Sequence, residues 1–173
     1  MQRLALMTIG VLHGPYGDPR VQEFYDRIDA VFERAEGSPG FLGRVPKVGL
    51  DDRAPWTAPA RFDGAAYEGL LPATLSLWED VETATAFSYR GVHADALRVR
   101  HDWFRKIDGP SHVAWWQPGD ALPHWAEANE RYERVWTQEG PDAFLLQRPF
   151  DSGGAPYVVD RERVRALAAD PLG

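Results

Sequence analysis

No cysteine occurs among the 173 residues of the chain. This absence excludes disulfide bonds, thiolate metal sites, iron–sulfur clusters and a cysteine nucleophile. The chain also lacks a glycine-rich turn between a predicted strand and a predicted helix, and it contains no GxSxG sequence. We therefore expect neither a nucleotide cofactor nor a serine nucleophile of the hydrolase type.

Long apolar runs and an excess of positive charge are missing as well. No run reaches the ~18 residues that a membrane-spanning helix needs. The apolar stretch 1–10 is short, carries one arginine and lacks a cleavage pattern of small residues, so we expect no signal peptide and a cytoplasmic location. The formal net charge is −7, whereas phosphate binding requires a basic surface. We expect neither nucleic acid nor a membrane as a partner.

The residues that are present predict one soluble globular domain. Hydrophobic residues make up 44% of the chain and charged residues 26%, which is typical of globular proteins. We place the domain at 1–150, with an inserted loop at 46–71 that is rich in proline and glycine. Residues 151–173 form a C-terminal extension. A loop this long inside a domain is usually functional or disordered, and we expect it to act as a lid or pocket wall.

The hydrophobic pattern predicts the element order βαββαβ. Asp18-Pro19 is a helix start and Gly37 a helix end, and a second helix begins after Glu79-Asp80, with Gly91 as a possible break. The predicted strands are 4–12, 40–45, 73–78 and 111–117. A third helix at 123–138, a fifth edge strand at 143–148 and a short helix at 161–169 follow.

This order is typical of an α+β, ferredoxin-like antiparallel sheet with an extra C-terminal helix and strand. Such a sheet has its two helices on one face and is expected to alternate apolar and polar residues. The first and fourth predicted strands are instead apolar on both faces, so the second face needs a cover. We expect a homodimer in which two sheets pack as a dimeric α/β barrel. The third helix is the alternative cover.

Three segments of the chain resemble a known family. They are LWEDVETATAFSYRGVHADALRVRHDWF from residue 77, SHVAWWQPGDALPHWAEANERYERV from residue 111, and GPDAFLLQRPF from residue 140. These segments resemble the family of unknown function DUF3291. The features that carry the resemblance are a strand that ends in Trp-Glu, a helix with Phe-x-Tyr-Arg-x-x-His, the pairs Trp-Phe and Trp-Trp, and a closing Ala-Phe. The resemblance covers about residues 3–150.

The resemblance implies membership of the dimeric α/β-barrel superfamily, alongside the antibiotic-biosynthesis monooxygenases. That superfamily includes cofactor-free monooxygenases, polyketide cyclases and haem-binding barrels. The family itself has no settled activity, so the resemblance supports the fold more than the function.

A histidine on the second predicted helix is the first catalytic candidate. Tyr89 precedes His93 by one turn and Arg100 follows it by two, so a continuous helix aligns them on one stripe. In this arrangement His93 acts as general base, Tyr89 orients the substrate, and Arg100 or Arg90 holds an enolate or carboxylate. The alternative is a structural histidine with surface ion pairs around it.

Tryptophan is abundant, with seven residues. The neighbours Trp115 and Trp116 must point to opposite faces of a strand, and Trp78 and Trp103 lie in neighbouring predicted elements. These four, with Trp56 of the inserted loop, are candidates for stacking a flat apolar substrate. Packing in the core or a dimer interface is the alternative.

The sequence favours a small-molecule enzyme of secondary or oxidative metabolism without a cofactor. The expected substrate is apolar, aromatic or polyketide-like, and the expected reaction is monooxygenation, cyclisation or rearrangement. Metal-binding spacings of histidine are absent, but haem needs one axial histidine, and His93 or His112 is the candidate for that alternative. A non-catalytic ligand-binding protein is the third reading.

Overall fold

A four-stranded antiparallel sheet organises the fold. The computed structural model describes residues 1–46, 56–89 and 100–169, and in these ranges the fold is mixed α+β. The strands are β1 (Gln2–Ile9), β2 (Phe41–Arg44), β3 (Ala73–Trp78) and β4 (His112–Pro118), in the spatial order β2-β3-β1-β4. The helices are α1 (Gln22–Glu36), α2 (Val81–Tyr89), α3 (Trp125–Thr137) and α4 (Arg161–Ala169).

The signals read from the sequence set the limits of α1. The Asp18 carboxylate accepts a hydrogen bond from the Arg20 N–H at 2.9 Å, and a short 3-10 turn, Pro19–Val21, leads into the helix. At the other end the Gly37 N–H donates to backbone carbonyls of the last turn. The cap, the proline and the glycine therefore act as predicted.

Helix α2 begins in the same manner, at a side-chain cap. The Asp80 carboxylate accepts from the Thr83 N–H at 3.0 Å, and the Thr83 hydroxyl donates to the Asp80 carbonyl at 2.9 Å. Gly40, just before β2, lies against this cap with φ +75°. A Cβ on Gly40 would lie 2.8 Å from the Thr83 Cβ, so the turn and the helix start fit only around a glycine.

Gly40→Ala is expected to lower the free energy of unfolding by about 2 kcal/mol, because it adds left-handed backbone strain to the clash with Thr83. Gly119→Ala is the matched control: Gly119 has a similar φ of +74°, and the space around its Cβ position is open. Urea unfolding gives the loss in free energy of unfolding for both variants, and the difference between the two losses is the cost of the clash with Thr83 apart from the backbone strain. Equal losses in the two would show that the contact with Thr83 contributes nothing.

One face of the sheet is covered within the chain by α3. Ala5, Met7, Leu77 and Trp115 lie on this face, which we call the α3-side core. The covering residues come from α3 and from the described part of the inserted loop: Trp125, Ala128, Tyr132, Val135, Phe62, Leu70 and Leu71. The third helix, named above as the alternative to a dimer partner, accordingly supplies a cover for this face.

The opposite face forms the α2-side core. Leu4, Leu6 and Ala114 of the sheet pack there with Trp78, and α2 contributes Val81 and Ala84. The C-terminal extension contributes partly buried side chains to the same core. Both faces of β1 are therefore buried, which explains its nearly continuous apolar sequence.

The predicted fifth strand at 143–148 is wrong. Phe144 forms one isolated antiparallel bridge with Ala114, through two backbone hydrogen bonds of 2.8 and 2.9 Å. The chain then turns at 146–148, and the Leu146 N–H donates to a side chain, His112, instead of a strand. The segment is apolar because Ala143, Phe144 and Leu146 are buried. Burial of these side chains does not require pairing in a β-ladder.

No helix in the described ranges combines the length and the hydropathy that a membrane crossing needs.

Candidate functional site

Aromatic side chains gather beyond the end of β1 and against α1. Trp103 is buried at the centre, and Phe24 lies 6.0 Å from it and 5.2 Å from Phe104, measured between ring centroids. Tyr25 contacts Phe24 edge-on at 5.2 Å, and Tyr16 contacts Tyr25 at 5.0 Å. We call these five residues the Trp103 cluster. The cluster reaches the surface, since Phe24, Tyr25 and Phe104 are partly exposed and Tyr16 is 76% exposed.

Local sequence explains this placement. Leu12 follows β1 and pairs with Phe104 in an isolated bridge, which brings residues 100–104 beside the start of α1. The residues 100–103 are helical, so Trp103 projects from the last turn. Gly10 allows Phe104 to approach, because a Cβ there would lie 2.5 Å from the Phe104 ring.

The polar groups at the cluster are few. The Arg27 guanidinium lies 5.5 Å from the centre of the Trp103 ring and is paired with Glu23 at 2.5 Å. The His13 imidazole donates to the His101 carbonyl at 3.3 Å. Burial, with a smaller effect of Tyr16, raises the pKa of the Tyr25 hydroxyl. Tyr25 therefore stays protonated at neutral pH and can donate a hydrogen bond.

Most of the predicted tryptophan contacts lie elsewhere, in the sheet cores. Trp78 and Trp115 are 1% and 0% exposed and belong to opposite cores. Trp116 is partly buried on the face opposite Trp115, and its indole N–H donates to the Phe150 carbonyl at 2.8 Å. Trp56 packs edge-on against Trp125 at 4.7 Å. Trp103 is itself 3% exposed, and it lies among the partly exposed rings of Phe24, Tyr25 and Phe104.

Two of the four predicted catalytic residues, His93 and Arg90, lie outside the described residues. Tyr89 is the last residue of α2, and Arg100 begins the described helical turn that carries Trp103. The sequence separation of His93 from Trp103 is ten residues. Their roles stay predictions.

His112 is held by hydrogen bonds of its own. Its Nε2 accepts from the Leu146 N–H at 3.2 Å. Burial lowers the pKa of His112 to about 4, against an opposing hydrogen bond with Gln147. The imidazole is therefore neutral at physiological pH, and the nitrogen that faces Leu146 is occupied. An axial role for His112 in haem binding would require that hydrogen bond to break.

Sequence reasoning missed Phe24, Tyr25 and Phe104 as site residues. The first two lie on the apolar face of α1, and such a face is typical of ordinary core packing. The available signal was the crowding of aromatics in Phe24-Tyr25 and Trp103-Phe104. Within the described ranges, no three His, Asp or Glu side chains are grouped so that they could hold a metal ion.

The sequence model of the domain of unknown function DUF3291 matches residues 3–160 of the chain, which leaves α4 just beyond the matched range. No curated protein and no solved structure matches the chain.

Proposed function

The chain belongs to the DUF3291 family, and on that premise we propose that it is a small-molecule enzyme that binds an apolar, aromatic or polyketide-like substrate at the Trp103 cluster. The observation that carries the proposal is the partial exposure of Phe24, Tyr25 and Phe104 around the buried Trp103. Aromatic faces of this kind stack planar rings and exclude water from them. The cluster also offers a neutral phenol donor, Tyr25, and a cation, Arg27.

The proposed reaction is oxygenation without a cofactor, or a related base-assisted cyclisation or rearrangement. A base removes a phenolic or enolic proton from the substrate, and the resulting carbanion supplies the electrons that reduce dioxygen and bonds to it as a hydroperoxide. Loss of water from this hydroperoxide leaves one oxygen atom on the oxidised product, a quinone or ketone. His93 is our candidate for this base, with Tyr89, Arg90 and Arg100 as candidates for orienting the substrate and holding its negative charge. Tyr25 and Arg27 provide a donor and a cation at the described part of the site.

We also propose the finer fold assignment, a ferredoxin-like domain of the dimeric α/β-barrel superfamily. The antiparallel order β2-β3-β1-β4, with α1 and α2 each following a strand, supports it. The homodimer stays a prediction, and so does the cytoplasmic location. Because α3 covers the face of the sheet opposite α2, a dimer needs a contact surface other than an uncovered sheet face.

A panel of flat phenols and enolisable polyketide-type compounds tests the proposed function. We expect at least one compound to cause oxygen uptake with no added cofactor. Phe104→Leu removes one ring of the cluster and is expected to lower kcat/KM about tenfold, which corresponds to about 1.4 kcal/mol, within the range for one aromatic contact. Trp136→Leu, at a partly buried tryptophan packed on the α3-side core, is the matched control and leaves kcat/KM unchanged.

Other outcomes of the same experiment identify the competing functions. Saturable binding without turnover, measured by tryptophan fluorescence, would support a non-catalytic ligand-binding protein. A Soret band in the purified protein would support a haem-binding barrel. Turnover that is insensitive to Phe104→Leu would contradict the placement of the substrate at the Trp103 cluster.

A further inference from the structure

The C-terminal extension is attached to the fold through a buried carboxylate. Glu82, in the first turn of α2, is 2% exposed. Its Oε1 accepts from the Tyr157 hydroxyl at 2.8 Å and from the Asp160 N–H at 3.0 Å. Its Oε2 lies 3.6 Å from the Arg163 guanidinium, which also donates to Asp80 at 2.6 Å. All these donors belong to the extension.

The apolar part of the attachment is limited to a few side chains. Along α4 the one buried residue is Val164, and Leu167 and Ala168 are partly buried, while Tyr157 and Val159 before the helix are partly buried against the α2-side core. The segment before α4 turns at 151–156, where the Asp151 carboxylate accepts from the Gly153 and Ala155 N–H groups at 2.9 Å each. The turn contains two glycines, which tolerate backbone rotation, and opening about it breaks the 2.8 Å hydrogen bond from the Tyr157 N–H to the Pro149 carbonyl.

Below the extension lies a shallow cleft between α1 and α2. Arg34 of α1, Thr83 and Phe87 of α2, and Leu167 and Ala168 of α4 line it. The cleft has a volume of about 20 Å³, which is room for one or two waters. Phe87 is the aromatic residue of its lining and stacks on Trp78 at 5.1 Å with an interplanar angle of 28°, and Leu167 and Ala168 of the extension form one wall.

We propose that residues 157–169 form a hinged lid that docks on Glu82 and closes an aromatic cleft between α1 and α2. The lid opens about the turn 151–156 while the sheet stays folded. Segments with few buried apolar contacts open at a lower free energy than the core, and here the polar contacts to Glu82 and Asp80 hold the closed state. The open state uncovers a site for a small apolar, aromatic molecule on Phe87.

The polar contacts are suited to this role because each depends on the closed geometry. Hydrogen bonding to Glu82 is the main reason that the pKa of Tyr157 rises to about 12, so the phenol remains a donor. Opening leaves Glu82 without the Tyr157 and Asp160 donors. Water can replace them only once the lid has moved away, so the described geometry favours two positions, closed and open.

Hydrogen exchange of the full chain, followed by mass spectrometry, tests the lid. In Glu82→Gln and in Tyr157→Phe we expect the amides of 161–169 to exchange about tenfold faster or more, while those of β1 and β4 stay within about twofold of the parent. Arg161→Gln, an exposed position on the same helix, is the control and leaves exchange unchanged. The dye 1-anilinonaphthalene-8-sulfonate is expected to gain fluorescence in the two lid variants and not in the control.

Three results would overturn the proposal. They are unchanged exchange at 161–169 in both lid variants, equal acceleration across the sheet, and acceleration in Arg161→Gln as large as in Glu82→Gln. If Glu82→Gln fails to fold, Tyr157→Phe, which removes one hydroxyl, decides alone. The cleft is distinct from the Trp103 cluster, so this outcome does not depend on the oxygen-uptake experiment.

Discussion

Trp115→Ala is expected to lower the free energy of unfolding by about 3–5 kcal/mol, the range for removing a fully buried large aromatic side chain. Trp115 is 0% exposed and lies on β4 opposite Ala5 of β1, under α3. Its neighbour Ala5 is small, so the indole fills much of the space between sheet and helix. Truncation leaves a cavity that the sheet and α3 cannot close without moving apart from their other contacts.

Two variants on the same strand make this measurement specific. The Trp115 indole N–H has no hydrogen-bond partner among the described residues, so Trp115→Phe loses volume but no hydrogen bond and is expected to cost clearly less than alanine. Trp116→Ala removes a partly exposed indole from the other face and is also expected to cost less. Urea unfolding gives the loss in free energy of unfolding for all three variants, provided that the m-value, the dependence of that free energy on urea concentration, is unchanged. A Trp115→Ala loss below that of Trp116→Ala would contradict the central place of Trp115 in the core.

The stability of the protein is expected to fall by about 3 kcal/mol as pH drops from about 6.5 towards 4, through His112 alone, because each pKa unit corresponds to about 1.36 kcal/mol. Burial lowers the pKa of His112 to about 4 in the folded chain, whereas an unfolded histidine titrates near ~6.5. Between these values the unfolded chain binds more protons. The contribution of His112 is therefore complete above about pH 6.5 and is lost as the pH falls through the window.

The difference between parent and His112→Gln isolates this effect from the carboxylates that also titrate at low pH. In the variant the decline between pH 6.5 and 4 is expected to be shallower, and glutamine can still accept from the Leu146 N–H. His124→Gln, at an exposed histidine before α3, serves as the control and keeps the parent profile. Parallel profiles for parent and His112→Gln would show that His112 titrates normally.

The regular elements were predictable from the sequence because their signals are local. The range 73–78 was predicted for β3 and is observed, and the ends of α1 follow from Asp18, Pro19 and Gly37. The prediction of a strand at 143–148 was wrong because a buried segment without strand pairing has the same apolar sequence as a paired strand. A hydrogen bond such as that between Leu146 and His112 spans 34 residues, and no local pattern reveals it.

The candidate site was harder to predict because its position depends on packing between distant segments. Trp103 was named from its residue type, but its partner Phe24 lies 79 positions earlier and joins it through the placement of residues 100–104 beside α1. The anchoring role of Glu82 was missed for the same reason. In the sequence, Glu82 cannot be distinguished from any other acidic residue in a first helical turn. Its hydrogen-bond donors Tyr157 and Asp160 are 75 and 78 positions away.

The bridge between Ala114 and Phe144 also has a consequence for aggregation. It occupies the N–H and the carbonyl of Ala114 at the outer edge of β4, and the opposite edge strand, β2, is four residues long with an irregular register between Phe41 and Gly43. Neither edge, as far as the chain is described, offers a long straight row of free amides to an incoming strand. Concentrated solutions are therefore expected to resist the growth of continuous intermolecular sheets.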